Sequence, residues 1–179
     1  MRFTETPLPG AWVIDLDPRF DDRGFFARTF SEEEFSAHGL PVRWPHCNAS
    51  QNLRKGTLRG MHGVKPGCEE AKLVRCVRGA VHDVIVDLRP GSPTRLRSYS
   101  VELSAAQGRS LFVPSGFLHG FQTLEDDAEV DYMMSTPYRS EAAFGARWDD
   151  PLMNIAWPLE NPILSPRDLT HPLLSAETA

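Results

Sequence analysis

The sequence predicts an all-β chain, and three observations carry that reading. The 179-residue chain holds 13 Gly and 15 Pro, spaced so that they break it into runs too short for long helices. The runs between them are rich in Val, Phe, Leu and Tyr and are bounded by Gly, Pro, Asp or Ser, as strands are. A single segment carries a full set of helix signals. A chain of this length holds one sizeable core and not two, so residues 1–179 are expected to form one domain, an antiparallel sandwich or barrel.

Taken in order, "AWVIDLDP" (11–18) and "GFFARTF" (24–30) read as strands. "SEEEFSAHG" (31–39) reads as the helix. Ser31 is its N-cap, Glu34 the capping-box partner three residues on, and Gly39 the stop, with acidic residues in the first turn to suit the helix dipole. "GTLRGMHGV" (56–64) reads as a strand, followed by "KLVRCVRG" (72–79) and "AVHDVIVDLRPG" (80–91), with a hairpin turn expected at "RGA" (78–80). A longer turn at "DLRPGSPT" leads to "RSYSVELS" (97–104), "RSLFVPSG" (109–116), "HGFQTLE" (119–125) and "AEVDYMMS" (128–135). The proline-laced "WPLENPILSPRDLTHPLL" is expected to be an irregular C-terminal cover.

Composition removes several function classes. The net charge of -5 and pI near 5.7 argue against a general nucleic-acid or membrane surface, so an anionic ligand needs a local basic pocket. No window approaches the roughly 18 apolar residues of a membrane span. The three cysteines (Cys47, Cys68, Cys76) lack CxxC spacing and the N-terminus carries no signal-like apolar run, so a reducing cytoplasm is the expected location.

"GRSLFVPSGFLH" follows a cupin pattern: Gly108, five residues, Pro114, one residue, Gly116, two residues, His119. The first cupin motif is half kept. Gly56 and His62 fit it and Glu69 falls at its Glu position, but Val64 replaces the second His. A metal-dependent reading would therefore rest on His62, Glu69 and His119 alone, which is the smallest set an open catalytic site uses.

Longer blocks narrow the resemblance. "DDRGFFARTF", "NASQNLRKGTLRGMH", "KLVRCVRGAVHDVIVDLRPGSPT", "LFVPSGFLHGFQTLEDDAEVDY", "WDDPLMNIAWP" and "ILSPRD" run in order from about residue 21 to 168. Together they closely resemble the dTDP-4-dehydrorhamnose 3,5-epimerases. The resemblance implies a cupin-type jelly-roll barrel with one short N-terminal helix, no metal and no cofactor. It also implies a homodimer in which an N-terminal strand covers a partner's sheet edge. The substrate it implies is a nucleotide-diphosphate sugar of the 4-keto-6-deoxy type, epimerised at C3, at C5 or at both.

That chemistry removes protons made acidic by the C4 carbonyl and returns one to the opposite ring face, so it needs two groups. By resemblance His62 is the base, a residue type that titrates near neutral pH. Asp168 orients it, Tyr132 is the acid, and Lys72 stabilises the enolate oxygen. Arg23, Asn48, Arg59, His119 and Arg167 match substrate contacts, with guanidinium forks suited to phosphate oxygens, and Arg28 and His46 stand at substrate-contact positions.

The residues alone leave alternatives open. Tyr132 shares its strand face with Val130 and Met134, a pattern common to a core tyrosine and to a ligand-holding barrel. Lys72 would share a face with Val74 and Cys76, where a lysine needs a partner or a task. Asp168 falls in an expected loop. Strict alternation puts Arg59 opposite His62, so both face one pocket only if the strand bulges, with Gly60 as the natural place. His82 and His171 read as structural or exposed, and Asp126 and Asp127 as a solvated turn. Arg28, His46 and Ala143 stand where the family pattern has glutamate, glutamine and glutamate, which bears on substrate contacts. A mono-epimerase or a ketoisomerase on a related sugar, and a silent binding protein, are the rival readings.

Overall fold

The structure, a computed structural model, describes residues 1–175. In chain order the elements are β1 (Arg2–Glu5), β2 (Trp12–Asp15), β3 (Arg19–Asp21), β4 (Gly24–Phe26), α1 (Glu32–Ala37), β5 (His46–Asn52), β6 (Leu58–Val64) and β7 (Lys72–Arg78). They continue with β8 (Ala80–Asp87), β9 (Ser98–Ser104), β10 (Ser110–Val113), β11 (Phe117–Thr123), β12 (Ala128–Met134), β13 (Ala143–Gly145) and α2 (Pro166–Leu169). Two antiparallel sheets face one another. One has six strands in the order β1-β2-β10-β7-β12-β5, and the other five in the order β13-β6-β11-β8-β9. From β6 to β13 the chain repeatedly changes sheet, which is the jelly-roll arrangement the sequence predicted.

The turn at Arg78–Ala80 is not a hairpin, because β7 pairs with β10 and β12 while β8 pairs with β9 and β11. Gly79, at φ 71°, turns the chain from one sheet into the other. The longer turn does close a hairpin, with Ala80 opposite Ser104 and Val86 opposite Ser98.

Three layers of apolar packing follow from the alternation of side chains. Between the sheets, Val13, Val74, Leu111 and Val130 of one meet Val81, Ile85, Leu103 and Phe121 of the other. Outside the six-stranded sheet, Phe35 of α1 packs with Ile14, Leu73 and Phe112. Ser31 caps that helix by accepting from the Glu34 N–H at 3.4 Å, but the Glu34 carboxylate accepts from the Met1 amino group at 2.7 Å instead of completing a capping box. Outside the five-stranded sheet, Met153, Leu174 and Trp157 cover Met61, Val84 and Leu118. The C-terminal cover is thus fastened over the back of β6. It is not wholly irregular: Ile163 bridges to Thr57, and α2 is an unexpected short helix with Ser165 as its cap.

Composition gave weak notice of the edge strands β1 and β3 and of β5, whose exposed and polar residues lack an apolar run. The β3–β4 hairpin projects from the body with Phe20, Phe25 and Phe26 exposed.

At the end of β8 the buried Asp87 anchors the β8–β9 turn. Burial would push its carboxyl up, but bonds from Arg89, Ser92 and Thr94 outweigh that and bring it down to about 2. A carboxyl depressed below its unfolded value of 3.8 adds stability above that pH and loses it as the pH falls towards 2. Asp87→Asn is expected to cost about 2 kcal/mol at pH 7, from the size of the shift, with the gap to native closing in acid. Urea unfolding of both chains across pH measures it, and a gap as large at pH 2.5 as at pH 7 would contradict the assignment.

Candidate active site

The inner faces of the two sheets end in a cavity of about 380 Å³. From the five-stranded sheet, β6 contributes His62 and β13 contributes Ala143 and Phe144. From the six-stranded sheet come Asn48 on β5, Lys72 on β7 and Tyr132 on β12. Glu70, Tyr138, Arg139 and, from α2, Arg167 close the wall.

The bulge expected at Gly60 is present. His119 lies opposite His62 and Phe121 opposite Arg59, so Gly60 and Met61 together face the single residue Gly120. The extra residue returns Arg59 to the face of His62. Gly60 has φ 146°, the Gly60–Met61 peptide is cis, and a Cβ on Gly60 would lie 2.7 Å from the Gly120 Cα. Glycine alone suits that conformation and that approach.

His62 Nε2 lies 2.6 Å from Asp168 Oδ1. With Nε2–H donating to the carboxylate, Nδ1 keeps the free lone pair on a ring that is 41 % exposed to the cavity. Asp168 is not in a loop, as its sequence context suggested. It lies in the one turn of α2, its N–H donated to Ser165 Oγ at 3.1 Å and its side chain buried. Burial pushes its carboxyl up, and the bond and charge of His62 more than offset this, leaving it below the ordinary carboxylate range.

Across the cavity, burial raises the Tyr132 hydroxyl above the usual tyrosine value against the opposing pull of Arg59. The phenol therefore keeps its proton at neutral pH. Lys72 is buried and paired, its Nζ 2.7 Å from Glu70 Oε1. Glu70 answers the question of how a lysine tolerates that face, and a carboxylate two residues from it was the available signal.

Arg59 reaches β5, donating from Nε to Asn52 Oδ1 at 2.7 Å and from Nη2 to the Gln51 carbonyl at 3.2 Å. His46 holds the wall indirectly, its Nδ1 accepting from the Tyr138 N–H at 3.4 Å. Three expected contacts fall elsewhere. His119 shares the inward face with His62 but does not line the cavity, its Nε2 lying within 3.0 Å of both Asp83 oxygens, and both residues are buried. A charge inside the apolar run "AVHDVIVD" was the missed sign of that partner. Arg23 is on the β3–β4 hairpin, exposed and bonded to Asp21, and Arg28 lines a separate hollow beside Met1 and Glu34. Within one chain neither arginine reaches the cavity.

The metal-dependent set is not gathered either. Among the described residues, the His, Cys, Asp or Glu group close enough to share an ion is His62, Asp168 and His171, without Glu69 or His119. His171, expected to be structural or exposed, instead stands edge-on to His62 with ring centroids 5.6 Å apart. Burial, then the charge of His62, lowers its pKa below the ordinary histidine value. His82 keeps its structural reading, half-buried and edge-on to Trp157.

A family model described as dTDP-4-dehydrorhamnose 3,5-epimerase matches residues 5–176. The chain belongs to this family. A dTDP-4-dehydrorhamnose 3,5-epimerase of Methanothermobacter thermautotrophicus is 44 % identical over 161 residues, 89 % of this chain and 85 % of that one. A dTDP-4-dehydrorhamnose 3-epimerase of Streptomyces niveus is 38 % identical, covering 98 % of this chain and 84 % of its own length. Among solved structures, the Bacillus anthracis 3,5-epimerase with TDP and PPi bound superposes with a TM-score of 0.93 at 36 % identity, covering 97 % of this chain and 99 % of that one.

Gly60→Ala is expected to destabilise the chain by on the order of 3 kcal/mol, since the new methyl meets backbone in a conformation L-residues avoid. Chemical denaturation of the variant checks it, and a loss under 1 kcal/mol would mean that the bulge is soft.

Proposed function

We propose that the chain epimerises a dTDP-linked 4-keto-6-deoxy sugar at C3, at C5 or at both, through an enolate, in a single domain spanning residues 1–179. The observation that carries this is that His62 and Tyr132 enter one cavity from opposing sheets. A base and an acid on opposite walls are what inversion at carbon requires. Residues 176–179 lie outside the described residues.

His62 Nδ1 takes a proton from a carbon beside the C4 carbonyl, and Asp168 stabilises the imidazolium that forms. Negative charge then develops on O4. Lys72, held in place by Glu70, supplies the facing cation in a water-poor pocket, where such a charge acts strongly. Tyr132, still protonated, delivers a proton to the opposite face. Asn48 and Arg167, which line the cavity, and Arg59, whose charge is felt at Tyr132, are the candidates for holding the nucleotide diphosphate, with His46 supporting the wall behind Tyr138.

The reading includes a homodimer in the cytoplasm. The exposed aromatic hairpin bearing Phe20, Phe25 and Phe26 supports a partner-covered surface, and Arg23, a family contact, and Arg28, at a family contact position, remain outside the cavity of a single chain. Among the described residues no helix is long and apolar enough to cross a membrane.

A mono-epimerase is the second reading. Ala143 lines the cavity where the family pattern has a carboxylate, and the Streptomyces niveus relative is named a 3-epimerase.

Incubation with dTDP-4-keto-6-deoxyglucose in deuterium oxide, followed by proton NMR, tests the proposal. Deuterium is expected at C3, C5 or both, with exchange lost in His62→Ala and net epimerisation slowed roughly 100- to 10,000-fold in Tyr132→Phe, the usual worth of a positioned acid. Entry at one carbon selects the mono-epimerase. Binding without exchange in the native chain would reject the activity.

A further inference from the structure

His171 is left over by the epimerase reading, yet the chain is built around it. Its Nε2 is buried, makes no hydrogen bond, and lies 3.6 Å from Asp168 Oδ1. That same oxygen meets His62 Nε2 at 2.6 Å, so one carboxylate atom stands between two imidazole nitrogens. Gly145, the last residue of β13, leaves the ring its room: a Cβ there would lie 2.6 Å from both ring nitrogens. The flanking backbone is pinned. Thr170 N–H donates to the Arg167 carbonyl at 3.1 Å, and Arg147 N–H to the Pro172 carbonyl at 2.9 Å.

The geometry points to an inhibitory transition-metal site in which His62, Asp168 and His171 each give one donor atom to a divalent ion of the Zn²⁺ class. One ligand atom from each residue lies within 4.8 Å of the others. Bonds of roughly 2.0–2.2 Å to a tetrahedral ion place its donors about 3.3 Å apart. The two distances from Asp168 Oδ1, 2.6 and 3.6 Å, lie on either side of that separation, and the two imidazoles, within 4.8 Å of one another, must close by side-chain rotation to complete the set. Two imidazoles and a carboxylate suit Zn²⁺, Co²⁺ or Cu²⁺ and not Mg²⁺ or Ca²⁺, which favour all-oxygen shells. The fourth position falls to water, as in open three-ligand zinc sites.

Inhibition follows from the tautomer. Each neutral imidazole gives the ion its Nε2 lone pair, and its one N–H proton then resides on Nδ1. In His62 the proton moves from Nε2 to Nδ1 with none gained or lost, and the Nδ1 lone pair is consumed. The ion occupies the contact to Asp168 and silences the base together. The inhibition rests on the reading of His62 as base; the binding does not.

The metal alone is the probe. Metal-stripped native chain, His171→Ala and His171→Phe, the last keeping a ring in the slot without a donor, are titrated with Zn²⁺ by calorimetry and with Co²⁺ by visible absorption. Deuterium exchange is followed in parallel. The native chain is expected to take one Zn²⁺, to give an intense tetrahedral Co²⁺ spectrum, and to lose exchange reversibly on binding, with chelator restoring it. Both variants are expected to bind on the order of 100-fold more weakly and to resist inhibition to the same degree. Equal affinity in native and His171→Phe chains would overturn the site. Zn²⁺ binding that depends on His171 while exchange proceeds unchanged would overturn the inhibition. A native chain with no exchange at all but with the same His171-dependent binding would reject the epimerase reading and leave the metal site standing.

Discussion

A hydrogen bond of 2.6 Å joins residues 106 positions apart, His62 on a barrel strand and Asp168 on the segment that covers the barrel from outside. The carboxylate is buried, and a buried carboxylate is costly unless paired. Much of the surrounding structure serves that pairing. The C-terminal cover is held by Ile163 against Thr57, and by Met153 and Leu174 in the layer behind β6. Ser165 caps the turn that aims Asp168, and Gly145 leaves space for the ring beside it. An ion pair of this kind adds little net stability once desolvation is counted, and its worth lies in fixing one tautomer and one ring position.

The second constraint is the bulge in β6. Without it a period of two would send Arg59 and His62 to opposite faces, and His62 could not face the cavity while Arg59 bonds Asn52 and Gln51 on β5. Two glycines in contact, Gly60 and Gly120, make the irregularity feasible where any side chain would collide. With it, the barrel presents a base from one sheet and an acid and a cation from the other. The membership of the chain in the epimerase family agrees with that division, and the proposed chemistry uses it.

How much of this was legible depended on whether the signal was local. Strands such as β7, β8 and β12 declare themselves through runs of Val, Leu, Ile and Tyr, and α1 through Ser31 and Gly39. Sheet membership is not local, so Gly79 looked like a hairpin turn although it carries the chain between sheets. His62 and Tyr132 were named from ordered blocks of sequence, while Asp83 and Glu70 were missed because each explains a neighbour that only the packed barrel brings within reach. His171 has no motif at all; its contact with His62 exists because the cover folds back across β6. Arg23 and Arg28 show the opposite limit, since their sequence blocks fit the family and one chain does not carry them to the cavity.

The proposed chemistry depends on Asp168 fixing His62 with its proton on Nε2 and a lone pair on Nδ1 facing the sugar. Nitrogen-15 NMR of imidazole-labelled protein at a pH where His62 is neutral measures this directly, in the native chain and in Asp168→Asn. A His62 signal of the Nε2–H tautomer is expected in the native chain and a shift towards a mixture of tautomers in the variant. A native His62 carrying its proton on Nδ1, or one unchanged by loss of the carboxylate, would contradict it.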